Sequence, residues 1–379
     1  MNRIVISNVR IKPLFGGEEL ITKLITEGLS GSFDVRYIGY PFDIKVQAKT
    51  FPFSKFLPKI SGVGNLLRRL PILKYIFVKN LKMNCDLLIS NSNSDDLALL
   101  RGGKHNVSYG KIIIIKHGPI FEFGKIYPDP LIKTKKFKIL ALNTTDMEEL
   151  SNRYGNSNVD LLRLGIDVNT ANSHPNPKYF EELGISSDSK VIFSIGRLEE
   201  RQKGFLKGIL AMREILDINK NKENFVYLIA GSGKDRKLYQ NTISRLGLRN
   251  NVKLLGKISD ELKRQLYTRA DFILQPSGAE SFSLVALEAL KYGKILLVSK
   301  NKGSVDIIKD SGTDQNGFFI ERDAKNIANL LISITGTLPP YDLSLIRQNA
   351  LKTGALFTAD KMLNDIRKVI DQMLSSGEI

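Results

Sequence analysis

The chain of 379 residues is 42% hydrophobic and 25% charged, with a net charge of +17. Its length favours two domains over one core. It holds no apolar run of about 18 residues, so no transmembrane helix is expected, and its opening segment is too short for a secretory hydrophobic region. The single cysteine, Cys85, excludes an internal disulfide and suits a reducing cytoplasm.

Short apolar runs alternate with amphipathic ones, which predicts parallel sheets covered by helices. Strands are expected at 3–7, 34–38, 86–90, 111–116, 138–142 and 159–164. The stretch Leu14-Phe15-Gly16-Gly17-Glu18-Glu19 opens a helix that runs to residue 29 or so. Residues 169–190, rich in Asn, Ser and Pro, read as a linker. Beyond it, strands recur at 191–195, 225–230, 252–255, 272–275, 295–298 and 317–320. Helices fall between them, near 204–217, 234–246, 259–268, 283–292 and 303–309. From residue 321 the pattern is helical to the end, with an amphipathic helix at 360–374. The predicted plan is α/β: an N-terminal Rossmann-like domain (1–168), the linker, a second such domain (191–356), and a C-terminal segment (357–379) crossing back to the first. Two facing open sheets of this kind place a ligand crevice at the carboxyl ends of their strands.

Charge narrows the ligand. An excess of +17 implies an anionic partner. Between Ile44 and Cys85 there is no Asp or Glu, yet there are nine Lys or Arg, interleaved with Phe51, Phe53, Phe56, Tyr75 and Phe77. Gly196-Arg197-Leu198 and Lys203-Gly204 follow an expected strand, where a guanidinium fork and an ammonium together suit a diphosphate or, more blandly, sit solvated in a loop. Glu280 precedes a helix whose first turn, Ser281-Phe282-Ser283-Leu284, exposes backbone N–H groups to an anion. Glu288 stands eight residues on, among Leu284, Leu287 and Leu290. A buried carboxylate is costly, so it either leans to solvent or has a polar partner such as a ribose diol.

Other chemistries lack their residues. Gly231-Ser232-Gly233-Lys234 is not a Walker loop, because Leu228 and Asp235 stand where glycine and a hydroxyl residue belong. No Cys/His cluster suggests zinc, no D-x-D triplet offers a carboxylate pair, and no G-x-S-x-G elbow occurs. No cofactor and no metal are expected. His117 ends an apolar strand before Gly118, where a structural role and a catalytic one both fit.

Taken in order, these motifs resemble the retaining glycosyltransferases of family 4, which have the GT-B fold. The resemblance runs through Leu14 to Glu18, Lys116-His117-Gly118, Leu164-Gly165-Ile166-Asp167, Gly196-Arg197 with Lys203-Gly204, and the E-x7-E spacing of Glu280 and Glu288. It implies that Arg197 and Lys203 hold a donor diphosphate and that Glu280 binds the transferred sugar. By the same resemblance Glu288 binds the ribose, and backbone groups of Ser281, Phe282, Ser283 and Leu284 contact sugar and phosphate. Gly16 and Gly17 would let backbone approach the phosphates, Gly196 would belong to the donor-binding loop, His117 would contact the donor sugar, and Lys257 and Ile258 would meet the base. The implied catalytic set is His117, Arg197, Lys203 and Glu280. Departures exist: Ser281 and Ser283 stand where the family often has glycine, and the loop to Lys203 is one residue longer than its compact form.

The implied activity is metal-independent transfer of a hexose from a nucleotide-sugar donor, a UDP-sugar, to a hydroxyl of a glycan. That acceptor would be lipid-linked or a surface-polysaccharide precursor. The basic, aromatic stretch 44–85 predicts docking to an anionic membrane, placing a cytoplasmic protein peripherally on the inner face. Two rivals are a sugar-nucleotide epimerase of the same architecture and a silent, transferase-like binding subunit. A nucleic-acid partner is not expected, because no recognition helix or aromatic platform motif occurs.

Overall fold

In the computed structural model, the described residues are 1–8, 17–39, 44–50, 83–91, 107–118, 136–168, 174–219, 224–336 and 341–375. They form two compact units, residues 1–165 with 358–379, and residues 166–357.

The first unit is built on a seven-stranded sheet whose order is β3-β2-β1-β4-β5-β6-β7. Its strands are β1 (Arg3–Asn8), β2 (Asp34–Gly39), β3 (Gln47–Thr50), β4 (Met83–Ser90), β5 (Val107–Lys116), β6 (Lys136–Ala141) and β7 (Val159–Leu161). All pairings are parallel. Central strands are buried on both faces, so they are written as continuous apolar runs such as Ile112-Ile113-Ile114-Ile115, rather than as alternation. Two helices have clear local causes. Helix α1 (Gly17–Leu29) buries Ile21, Thr22, Ile25, Thr26 and Leu29, a stripe at helical spacing. Helix α2 (Thr144–Tyr154) starts at Asn143, whose side chain accepts from Asp146 N at 2.8 Å. Behind them lies a buried ion pair: Lys116 Nζ donates to Asp146, and both side chains are at most 1% exposed.

The second unit holds six parallel strands in the order β10-β9-β8-β11-β12-β13. They are β8 (Lys190–Ile195), β9 (Phe225–Ala230), β10 (Val252–Gly256), β11 (Phe272–Gln275), β12 (Ile295–Ser299) and β13 (Phe318–Ile320). Around them lie α3 (Pro177–Glu182), α4 (Glu200–Lys203), α5 (Phe205–Asn219), α6 (Arg236–Arg245), α7 (Asp260–Arg269), α8 (Leu284–Lys291), α9 (Ala324–Thr335) and α10 (Leu343–Ala355). The last helix, α11 (Ala359–Ser375), belongs to the first unit, where Arg367 Nη2 donates to Gly28 O at 2.6 Å. A Cβ at Gly28 would lie 2.3 Å from the tip of the Leu363 side chain, so a larger residue there would require Leu363 to shift.

Two expectations need correction. The proposed linker is not unstructured: Asn176 caps α3 with Pro177 at its first turn, Phe180 is buried, and the whole segment falls in the second unit. Asn and Pro here start a helix, and a loop has the same composition. The expected helix at 303–309 is a set of turns. There Ser304 Oγ donates to Ser299 O at 3.0 Å and Asn301 Nδ2 to Ser299 O at 3.1 Å, so side chains compete for the backbone.

Candidate functional site

An open parallel sheet binds ligands outside the carboxyl ends of its strands, where the strand order reverses. In the second unit that point falls between β8 and β11, since β9 and β10 lie on one side and β12 and β13 on the other. The loops that leave these two strands carry most of the residues singled out in the sequence.

From β8 the chain runs through Gly196 and Arg197 into the single turn α4, which ends on Gly204 in the left-handed region, φ 68°. Any side chain at Gly204 would meet Pro276 O at 2.4 Å, so this turn must press against the loop after β11. Gly278 N donates to Gln202 O at 2.8 Å and ties the two loops together. Lys203 Nζ donates to Glu280 Oε1 at 2.6 Å across them, with side chains only 14% and 12% exposed. The predicted cation and acid, 77 residues apart in sequence, are thus one ion pair. Arg197 lies on the more open side: Nη2 donates to Gln202 Oε1 at 2.7 Å and Nη1 is 3.5 Å from Glu199.

Ser283 caps α8. Its Oγ accepts from Ala286 N at 3.0 Å and donates to Gln275 Oε1 at 2.7 Å, while Phe282 is buried beside Phe357. Ser281 and Leu284 are half-buried. The first turn of α8 therefore presents its N–H groups beside Glu280, with the positive end of the helix dipole. Gly303, from the loop after β12, fits against Glu280 O at a distance of 2.8 Å for a notional Cβ, which admits no other residue.

Glu288 is 8% exposed, yet both carboxylate oxygens are satisfied by protein groups. Lys263 Nζ donates to Oε1 and Tyr267 OH to Oε2, each at 2.7 Å. Burial, with the Glu288 charge beside it, pushes the Tyr267 hydroxyl far above the usual phenol range, so it stays a donor. The sequence offered ribose or solvent as the answer for this acid, and the structure supplies two side chains from α7. They stand at i and i+4, on one helix face. Lys257 is exposed and Ile258 half-buried just before α7.

The glycine-rich turn after β9 has a packing role. A side chain on Gly231 would lie 1.8 Å from Gly196 O, and one on Gly233 would lie 2.4 Å from Leu198 O. These glycines let the β9 loop lie flat against the loop that carries Arg197. Glu200 braces the same region: its carboxylate accepts from Leu206 N at 2.9 Å and from Tyr239 OH at 3.0 Å.

The first unit reverses its strand order between β1 and β4. Asn8 ends β1, Asn91 follows β4, and His117 follows β5. His117 Nε2 lies 2.7 Å from Asn91 Oδ1, and the amides of Asn8 and Asn91 both reach the hydroxyl of Thr22 on α1. Gly17 begins α1, whereas Gly16 and residues 51–82 of the basic stretch lie outside the described residues. Among the described residues no three His, Cys, Asp or Glu side chains are grouped to hold a metal, and no helix is long and apolar enough to cross a membrane.

Two sheets with this order, joined with a C-terminal helix, define the GT-B fold. Solved structures bear this out across nearly the whole chain. A glycosyltransferase from Rickettsia africae superposes with a TM-score of 0.71 at 17% identity, covering 99% of both chains. Anabaena HepE, solved in complex with UDP and glucose, superposes at 0.72 and 18% identity, covering 98% of this chain and 100% of its own.

Within the second unit, residues 175–336 match the model of the family described as glycosyl transferases group 1. An uncharacterized glycosyltransferase of Methanocaldococcus jannaschii is 36% identical over 138 residues, which are 36% of this chain and 33% of that one. Glycogen synthase of Flavobacterium johnsoniae is 32% identical over 167 residues, 44% of this chain and 34% of that one. The chain thus spans about a third of the length of these curated relatives.

Proposed function

We propose that this chain is a metal-independent, retaining glycosyltransferase that moves a sugar from a UDP-sugar to a hydroxyl acceptor. The observation that carries the reading is the Lys203–Glu280 pair at the β8/β11 reversal point, inside the segment that matches the group 1 model. A donor diphosphate draws Lys203 and Arg197, and a sugar hydroxyl replaces the ammonium on Glu280. Glu288 and the residues near Lys257 and Ile258 receive the nucleoside. His117, on the first unit, contacts the transferred sugar.

The reaction breaks the bond between the anomeric carbon and the diphosphate oxygen. Charge that builds on that oxygen is stabilised by Arg197, Lys203 and the N–H groups opening α8, which are fixed before the reaction begins. The acceptor oxygen forms the new bond on the same face and its proton passes to the departing phosphate. HepE with UDP and glucose supports the choice of UDP. The acceptor we propose is a lipid-linked or surface-polysaccharide glycan, reached by a protein that docks to the inner membrane face through its basic stretch.

A thermal-shift screen of UDP-, GDP-, ADP- and CMP-sugars, followed by a nucleoside-diphosphate release assay with and without EDTA, tests the reading. Stabilisation by UDP-sugars and EDTA-resistant release is the expected result. Failure of every nucleotide-sugar to stabilise the protein rejects it, and epimer formation from donor alone replaces transfer with epimerisation. Flotation with anionic vesicles at low salt tests the docking.

A further inference from the structure

Between β11 and Glu280 the backbone runs through Pro276, Ser277 and Gly278, and side chains from two later loops hold it in place. Asn301, after β12, donates Nδ2 to Ser277 O at 3.3 Å. Arg322, after the edge strand β13, donates Nε to Pro276 O at 3.0 Å, although β12 lies between β13 and β11 in the sheet. The rest of the guanidinium lies against both loops of the site. A Cβ at Gly204 would be 3.0 Å from Nη2, and one at Gly278 would be 2.7 Å from Nη1 and 3.1 Å from Cζ. One side chain therefore touches the residue next to Lys203 and the residue two before Glu280.

The contact has no rival explanation in charge pairing. Arg322 is exposed, its side-chain hydrogen bond goes to a main-chain carbonyl, and among the described residues no carboxylate pairs with it. The loop it holds is the one tied to Gln202, whose carbonyl accepts from Gly278 N at 2.8 Å and whose side chain accepts from Arg197 at 2.7 Å. A shift of the β11 loop would thus reach Arg197 and the 2.6 Å contact of Lys203 with Glu280. Misplacement by about 1 Å is enough to slow a reaction that depends on fixed groups, by up to about 100-fold.

We propose that Arg322 is a positioning residue for the Lys203–Glu280 pair: its guanidinium clamps the loop after β11 onto the turn after β8. The effect on turnover rests on the glycosyl-transfer reading above. The clamp itself stands on the geometry of the second unit.

Hydrogen–deuterium exchange and the rate of UDP release from UDP-glucose, both on the full chain, read the two halves apart. Arg322→Ala should speed exchange at residue 278 and lower kcat/KM about 10-fold. Gly278→Ala should do the same in the parent. The backbone there is not left-handed, and the three atoms nearest the new methyl all belong to Arg322, so the guanidinium is what it displaces. Added to Arg322→Ala, the same change should cost nothing more. Arg322→Ala should likewise cost nothing further in kcat/KM on a Lys203→Met background, because it acts through that pair. Additive losses in that background, or an unchanged rate in Arg322→Ala, overturn the positioning role. Exchange unmoved by Arg322→Ala, or a Gly278→Ala loss as large without Arg322 as with it, overturns the clamp. If Arg322→Ala does not fold, Gly278→Ala in the parent and on the Lys203→Met background carries both readings. No stabilisation of the parent by any sugar nucleotide sinks the functional reading instead, and leaves the exchange result standing.

Discussion

Among the described residues, the two units fill the same position of the same kind of sheet with different electrostatics. Between β8 and β11 stands a charged pair, Lys203 and Glu280, partly sealed from water. Among the described residues, the ends of β1 and β4 carry neutral groups, Asn8, Thr22 and Asn91, with His117 beside them. The first unit keeps its own buried charges elsewhere, in the Lys116–Asp146 pair behind α2. A reversal point therefore supplies a location and no chemistry of its own. The residues at the strand ends decide what it can hold.

Four perturbations would break or sharpen that contrast. Asp146→Ala should have the largest effect on stability, about 3–5 kcal/mol, because it strips a buried ammonium of its carboxylate. The loss should appear in urea unfolding of the first unit, and a change under 1 kcal/mol would show the pair to be ornamental. Lys203→Met should leave the fold standing and lower turnover about 10²–10³-fold, as removal of a fixed charge stabiliser does. A variant that transfers sugar at the normal rate would place the anion site elsewhere. Tyr267→Phe removes one of two donors to the buried Glu288 and should cost about 1.5–3 kcal/mol. Calorimetry would detect this, and a thermal midpoint unchanged from the parent would show that the acid has moved out to solvent.

The smallest expected effect concerns pH. Burial, reinforced by Arg347, lowers the Lys294 ammonium to about 8 from its ordinary 10.5. The folded state therefore sheds this proton before the unfolded state does. The cost of holding the charge is present below pH 8 and is relieved between 8 and 10.5, so this group makes stability rise with pH there. Lys294→Met should flatten the rise when urea midpoints at pH 7 and pH 10 are compared. Equal slopes in parent and variant would count against a buried ammonium.

The sheets were legible because a strand buried on both faces has to be apolar throughout. The runs 225–230, 272–275 and 295–298 look like nothing else. Helix α2 escaped detection because few of its residues are apolar, though Asn143 three residues before Asp146 signals a cap. Composition misled at α3, where Asn176 and Pro177 start a helix in the language of a loop. In the site, Lys203 and Glu280 could each be marked from their own loops, but their contact depends on Gly204 and Gly278 packing two loops together. The partners of Glu288 lie 25 and 21 residues upstream on α7, and no local pattern links them to α8. Asn91, whose Oδ1 lies 2.7 Å from His117 Nε2, carried no local mark at all.

Because α11 packs on α1 while residues 166–357 form a unit of their own, the second unit is an insertion within the first. During synthesis the inserted body is complete when residue 357 has left the ribosome, yet the body begun earlier still lacks its last helix. The middle of this polypeptide can mature before its beginning does. A chain truncated after Phe357 should thus show a protease-resistant 166–357 core beside an unfinished N-terminal sheet.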